Sequence, residues 1–258
     1  MTVYLSIEND KLKIENTIQD AAVQFHEHLI VDENQTEDIF EHGKKTIIDN
    51  VDTNATARGN VLISGVFGPC NAVVAKLKNG EFAMYHARNG HVGVVGVSTP
   101  AKDVKNFFSS IKDEIDEIYI FQKSDPIANA AKAPELTVAM SMFANPDVKI
   151  HRLNVEGYQY VLCDSSHNHL ILFKNLEIVA NMEEAKKNPT LNTSCKAIDM
   201  NESISMEDTV KQVCTKRSGK KHEFDSMGNL VYLEDKLTIP KQYANIIHTN
   251  ENISQLKS

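Results

Sequence analysis

Tryptophan is absent from this 258-residue chain, aromatic residues of all kinds make up only 7 %, and cysteine occurs four times. Cys70, Cys163, Cys195 and Cys214 are far apart and form no C-x-x-C pair, which argues against a disulfide framework and fits thiols kept reduced in a cytosol. Positive charge is also in short supply. With a formal net charge of -8, the surface does not favour phosphate backbones, so no nucleic-acid partner is expected. Uncharged apolar runs long enough to cross a bilayer are missing, and the opening "MTVYLSIEND" has neither the basic nor the apolar region of a cleavable signal. The expectation is a soluble chain without membrane insertion, cytoplasmic in the producing cell or exported by a route that leaves no such signal.

What is present is a globular composition, 41 % hydrophobic, sufficient to bury a core. Apolar periodicity over 17–30 and 36–49 predicts two amphipathic helices, and the polar stretch 51–60 predicts a loop before a buried strand from Val61 to Val66. Strand-like runs "NAVVAKL" and "EFAMYHA" flank Asn79-Gly80, a dipeptide suited to a tight hairpin turn. Residues 91–97 read as a further strand, 99–115 as a helix capped by Thr99, and "EIYIFQKS" and "VKIHRLN" as strands. Helical character is expected on both sides of the proline in "PIANAAKAPELTVAMSMFAN", whose methionines read as core filling. Residues 158–174 predict a second hairpin with Ser166 to Asn168 at its tip, 205–217 a helix, and "HEFDSMGNLVYLED" a small hairpin.

Chemistry concentrates around the first hairpin. With Asn79 and Gly80 as the central turn residues, Lys78 faces Glu81, Val73 faces His86, and Cys70 falls just beyond the paired region near Asn89. A thiol and an imidazole sixteen residues apart thus arrive at one end of the hairpin, as nucleophilic catalysis requires. Strict alternation puts residues 70 and 73 on opposite faces, so a bend at Gly68-Pro69 is expected to re-aim Cys70. The N–H groups of Cys70 and Asn71 are candidate oxyanion donors, and Ser64 or a nearby backbone carbonyl is the candidate to orient the imidazole. The same residues also fit a buried structural thiol and a sheet histidine.

Other residues offer competing sites. "CDSSHNH" presents Cys163, Asp164, His167 and His169 to a metal, though an ordinary hairpin tip accounts for them as well. His91 is an alternative base at a second turn. The basic run 215–222 either docks an acidic partner or is a solvated helix end.

The stretch "ISGVFGPCNAVVAKLKNGEFAMYHA" resembles the core of the cysteine-dependent glutamine deamidase superfamily, typified by the chemotaxis receptor deamidase CheD, the cytotoxic necrotizing factors and Burkholderia lethal factor. That resemblance covers about residues 60 to 125. It implies Cys70 as nucleophile, His86 as base and Ser64 at the orienting position. Pro69 stands where the family has a small residue, and Ser64 where a threonine is usual. The implied fold is α+β, a central β-sandwich of mixed sheets flanked by helices; the N-terminal helices and a small C-terminal extension, read from the sequence pattern, lie outside the resemblance. The implied activity is deamidation of a glutamine on a protein substrate through a thioester, without metal or organic cofactor, and the long additions before and after the core suggest a bacterial effector or toxin. A transglutaminase, a thiol peptidase or isopeptidase would use the same pair, and a non-catalytic binding module would use neither. The expected organisation is an N-terminal helical extension over 1–58, a catalytic core over 59–187 and a C-terminal extension over 188–258.

Overall fold

The computed structural model describes residues 2–8, 11–17, 41–42, 45–46, 49–51, 55–65, 70–87, 100–122, 133–155, 160–165, 169–173, 195–197, 203–244 and 246. Thr2–Glu8 (β1) and Lys11–Thr17 (β2) pair as an antiparallel hairpin. Glu41–His42 (β3) and Lys45–Thr46 (β4) pair in the same sense, and Asp49–Asn50 (β5) follows. The helix expected over 36–49 is therefore replaced, where the chain is described, by short strands. Residues 18–40, which carry most of the first expected helix, lie outside the described residues.

Together with β5, Thr56–Gly59 (β6), Val61–Ser64 (β7), Asn71–Leu77 (β8), Phe82–Ala87 (β9), Ile115–Gln122 (β10), Lys149–Asn154 (β11), Tyr160–Asp164 (β12), His169–Phe173 (β13) and Cys195–Ala197 (β14) build two five-stranded sheets. The first has the order β11-β10-β8-β9-β6 and the second β14-β13-β12-β7-β5. Each is mixed: β10 and β11 run parallel in one, β5 and β7 in the other, and the remaining neighbours are antiparallel. The expected loop over 51–60 is thus partly strand, since β6 caps the edge of the first sheet against β9.

The two sheets share an apolar layer. Ala72, Val74, Phe82, Met84 and Phe121 of the first pack in one cluster with Leu62, Val161, Cys163 and Leu172 of the second. The other face of the first sheet is covered by helix α1, Pro100–Ser110, through Val104 and Phe108, and by helix α2, Ala133–Ser141, through Leu136 and Met140. Strands β8 and β9 are consequently buried on both faces, which explains their near-continuous apolar sequence. Thr99 and residues 91–97 lie outside the described residues, as does the segment before Ala133. Pro134 sits in the first turn of α2, where its missing N–H is harmless.

The C-terminal residues are tied to this core. Helix α3, Met206–Lys216, is capped by Ser205, whose hydroxyl accepts from the Asp208 N–H at 3.0 Å. Its Val210 and Val213 share a cluster with Val138 and Ala139 of α2 and with Leu230, Tyr232 and Ile239. Leu230 and Tyr232 lie on Leu230–Tyr232 (β16) and Ile239 on Thr238–Ile239 (β17), which with His222–Phe224 (β15) form a three-stranded sheet that contains the expected small hairpin. Among the described residues the structure is mixed α+β with three α-helices, none long and apolar enough to cross a membrane.

Candidate functional site

The β8–β9 turn differs from the expected two-residue form, and the difference decides the site. Leu77 N–H donates to the Glu81 carbonyl at 2.9 Å, and Gly80 N–H donates to the Leu77 carbonyl at 2.8 Å. Lys78, Asn79 and Gly80 therefore form a three-residue loop, with only Gly80 at positive φ, +90°. The tip is held in this form from outside: Lys78 N–H donates to the Glu114 carbonyl at 2.8 Å, and Arg58 bridges Glu81 and Glu114.

That loop moves the ladder by one residue. Ala72, not Val73, stands opposite His86, and Asn71 stands opposite Ala87. A one-residue change of register transfers every side chain to the other face relative to its partner strand. Cys70, two residues before Ala72, thus shares the face of His86, and it belongs to the same apolar cluster as Ala72 and Val74. The bend expected at Gly68-Pro69 is not needed to account for this; residues 66–69 lie outside the described residues. Diagonal neighbours on one face of a ladder have Cα atoms about 7–8 Å apart.

Ser64 comes from the second sheet. Its Oγ lies 2.9 Å from His86 Nδ1 and 2.7 Å from the carbonyl oxygen of Val51. A serine hydroxyl has a single proton, and a carbonyl can only accept, so the Ser64 proton is directed to Val51 and the imidazole must donate from Nδ1. Nε2 is then the nitrogen that carries the basic lone pair. Val51 is fixed by its own N–H, which donates to the Ile63 carbonyl at 2.8 Å, and the main-chain N–H of His86 donates to the Ala55 carbonyl at 3.2 Å. Sequence reasoning placed Val51 in a polar loop and missed its role, because a backbone carbonyl has no residue signature.

The site is deep. Ser64 is fully buried, His86 is 1 % exposed and Cys70 9 %. Tyr85, next to His86, has its phenol pushed up to about 12, by burial first and by the nearby Cys70 charge second, so it is a neutral neighbour at physiological pH.

The other candidates separate from this site. Cys163 is fully buried in β12, and burial pushes its thiol up. Asp164 follows on the opposite strand face, and among the described residues no group of three or more His, Cys, Asp and Glu side chains is placed to hold a metal. His91 and His167 lie outside the described residues. The basic run is largely occupied within the molecule: Arg217 bridges Glu135 and Asp235, Lys216 reaches Glu135, and Lys220 pairs with Glu234. Comparison with protein-family models and with curated proteins finds no match to the chain.

Proposed function

We propose that the protein is a cysteine-dependent hydrolase of side-chain carboxamides, converting glutamine to glutamate on a protein substrate. The observation that carries this reading is the relay from His86 Nδ1 through the Ser64 hydroxyl to the Val51 carbonyl, at 2.9 and 2.7 Å. It sets the imidazole in the tautomer whose Nε2 can accept a proton, on the sheet face that Cys70 shares. The mixed α+β arrangement, two sheets sharing an apolar layer with helices over the outer face of the first, is compatible with this reading.

In the reaction, His86 Nε2 takes the Cys70 proton and the thiolate adds to the carboxamide carbon. The tetrahedral adduct collapses as the imidazolium returns its proton to the leaving nitrogen, releasing ammonia and leaving a thioester. Water, deprotonated by His86, adds to the thioester, and the thiol departs with that proton. The net change is one water consumed, one ammonia released and one carboxyl formed. The depth of Cys70 and His86 supports a side-chain amide over a backbone peptide bond as substrate, because a glutamine side chain is slender and ends in a flat group.

Mass spectrometry of candidate protein substrates incubated with wild type, Cys70→Ala and His86→Ala tests the reading. A gain of about one mass unit at a glutamine with wild type alone supports it. Conversion by all three proteins, or by none across a proteome-wide screen, overturns it. The 9 % exposure of Cys70 favours a second reading, a non-catalytic module in which the thiol is core filling. That reading expects Cys70 to resist iodoacetamide in the folded protein.

A further inference from the structure

The carbonyl that completes the relay belongs to a sheet edge. β5 is the outermost strand of the second sheet, and it joins β7 through two residue pairs only, Asp49 with Leu62 and Asn50 with Ile63. Val51 follows, anchored by its N–H on the Ile63 carbonyl at 2.8 Å and by a buried side chain in the apolar layer between the sheets. The described strands before it, β1 with β2 and β3 with β4, pair with each other alone. Among the described residues, β5–β7 is therefore the one ladder that ties the first fifty residues to either five-stranded sheet. Short strands at an edge open at lower free energy than strands paired on both sides.

What such an opening does follows from the single proton of the Ser64 hydroxyl. With Val51 in place, that proton goes to the Val51 carbonyl, and the oxygen receives the Nδ1 proton of His86. With Val51 withdrawn, the hydroxyl turns and donates to Nδ1 instead. The ring then gives its Nδ1 proton to water and takes one from water at Nε2, with no net change of charge. A protonated Nε2 is a donor, so in this tautomer the imidazole cannot take the Cys70 proton.

We propose that docking of β5 on β7 is a switch that selects the His86 tautomer: docked, Nε2 is basic; withdrawn, it carries the proton and the base is off. The effect on catalysis rests on the deamidase reading above, and the effect on the tautomer does not. A molecule that binds the residues before Val51 more tightly when β5 is withdrawn turns the base off, to the extent of its differential affinity for the two states.

The test reads the tautomer directly. In full-length protein labelled with 15N-histidine, the ring nitrogen shifts of His86 report which nitrogen carries the proton, and amide exchange at residue 51 reports the docking. The wild type is expected to hold the proton on Nδ1. In urea below global unfolding, the residue 51 amide is expected to exchange before those of Val73 and Val74 in β8, with the His86 proton moving to Nε2 in step. Val51→Gly keeps the N–H and the carbonyl but loses the buried side chain; it is expected to move the proton toward Nε2 without urea and to slow iodoacetamide modification of Cys70 at least tenfold. Exchange at residue 51 only together with β8, or early exchange with the tautomer unchanged, overturns the proposal. If Val51→Gly does not fold or stays docked, the wild-type urea series decides alone. A tautomer that follows β5 in a protein that converts no glutamine sinks the deamidase reading and leaves the switch standing; glutamine conversion with a tautomer indifferent to β5 does the reverse.

Discussion

Ala72 and His86 stand opposite each other in the β8–β9 ladder, and this pairing places Cys70 on the face of the imidazole. The consequence is chemical. Had the two-residue turn formed, Val73 would occupy that place, and the thiol and imidazole would lie on opposite faces of a buried strand pair.

The Ser64 hydroxyl is expected to matter through the tautomer of His86. In Ser64→Ala the Nδ1 proton loses its acceptor inside a buried site, a loss of about 1–3 kcal/mol, or roughly 10- to 100-fold in the rate at which iodoacetamide modifies Cys70. Ser64→Thr keeps the hydroxyl, so the reaction rate stays within about threefold while the extra methyl in a fully buried position lowers thermal stability. Rates followed from pH 6 to 9 by mass spectrometry check both, and an unchanged rate in Ser64→Ala removes the relay from the mechanism.

Gly80 is a test of the turn. Its φ of +90° faces open space, so a methyl group there meets no neighbour and the cost of Gly80→Ala is the backbone's alone. A loss of about 1–2 kcal/mol in urea unfolding is expected, with Gly80→Asn less affected because asparagine tolerates this region.

His151 gives a pH dependence. Burial lowers its affinity for protons, and the nearby Glu117 opposes this only in part, so the folded state binds a proton less readily than the unfolded chain. The sign follows: the stabilising contribution is full above the unfolded value near 6.5 and is lost as pH falls through the lower folded value. Unfolding midpoints at pH 7.5 and 5.5 are expected to fall more in wild type than in His151→Phe, which keeps the stack on Tyr119 but cannot titrate. Equal decreases in the two proteins count against it.

Arg152 and Gln212 give an asymmetric pair. Arg152 is 1 % exposed, burial brings its guanidinium down to about 10, and its Nη2 donates to Gln212 Oε1 at 2.7 Å. Removing the acceptor in Gln212→Leu leaves a buried charge short of a partner and costs about 1–3 kcal/mol. Removing the charge in Arg152→Met is expected to be close to neutral or stabilising. Chemical denaturation of both variants measures the contrast, and a larger loss in Arg152→Met reverses the assignment.

Much of the fold was legible where local chemistry is strong. The helix over 206–216 has its Ser205 cap and acidic first turn, and the hairpins at 71–87 and 160–173 are bounded by turn residues. The register of the first hairpin was not legible. Its strands are buried on both sides, so no alternation of polar and apolar residues marks which face is which, and the loop length was settled by contacts to Glu114 and Arg58 from distant parts of the chain. The strands at 41–46 were missed because two-residue pairings have no periodicity to read.

The sequence by itself determined which chemical groups are available: a cysteine, a serine and a histidine within one stretch of strands, in a chain of formal net charge -8. Tertiary structure decided which of them meet. Ser64 reaches His86 from another sheet, and the Val51 carbonyl that completes the relay is a group every residue possesses, so only the packing of the two sheets could select it. Residue type sets what a group can do, and position in three dimensions sets what it does it to.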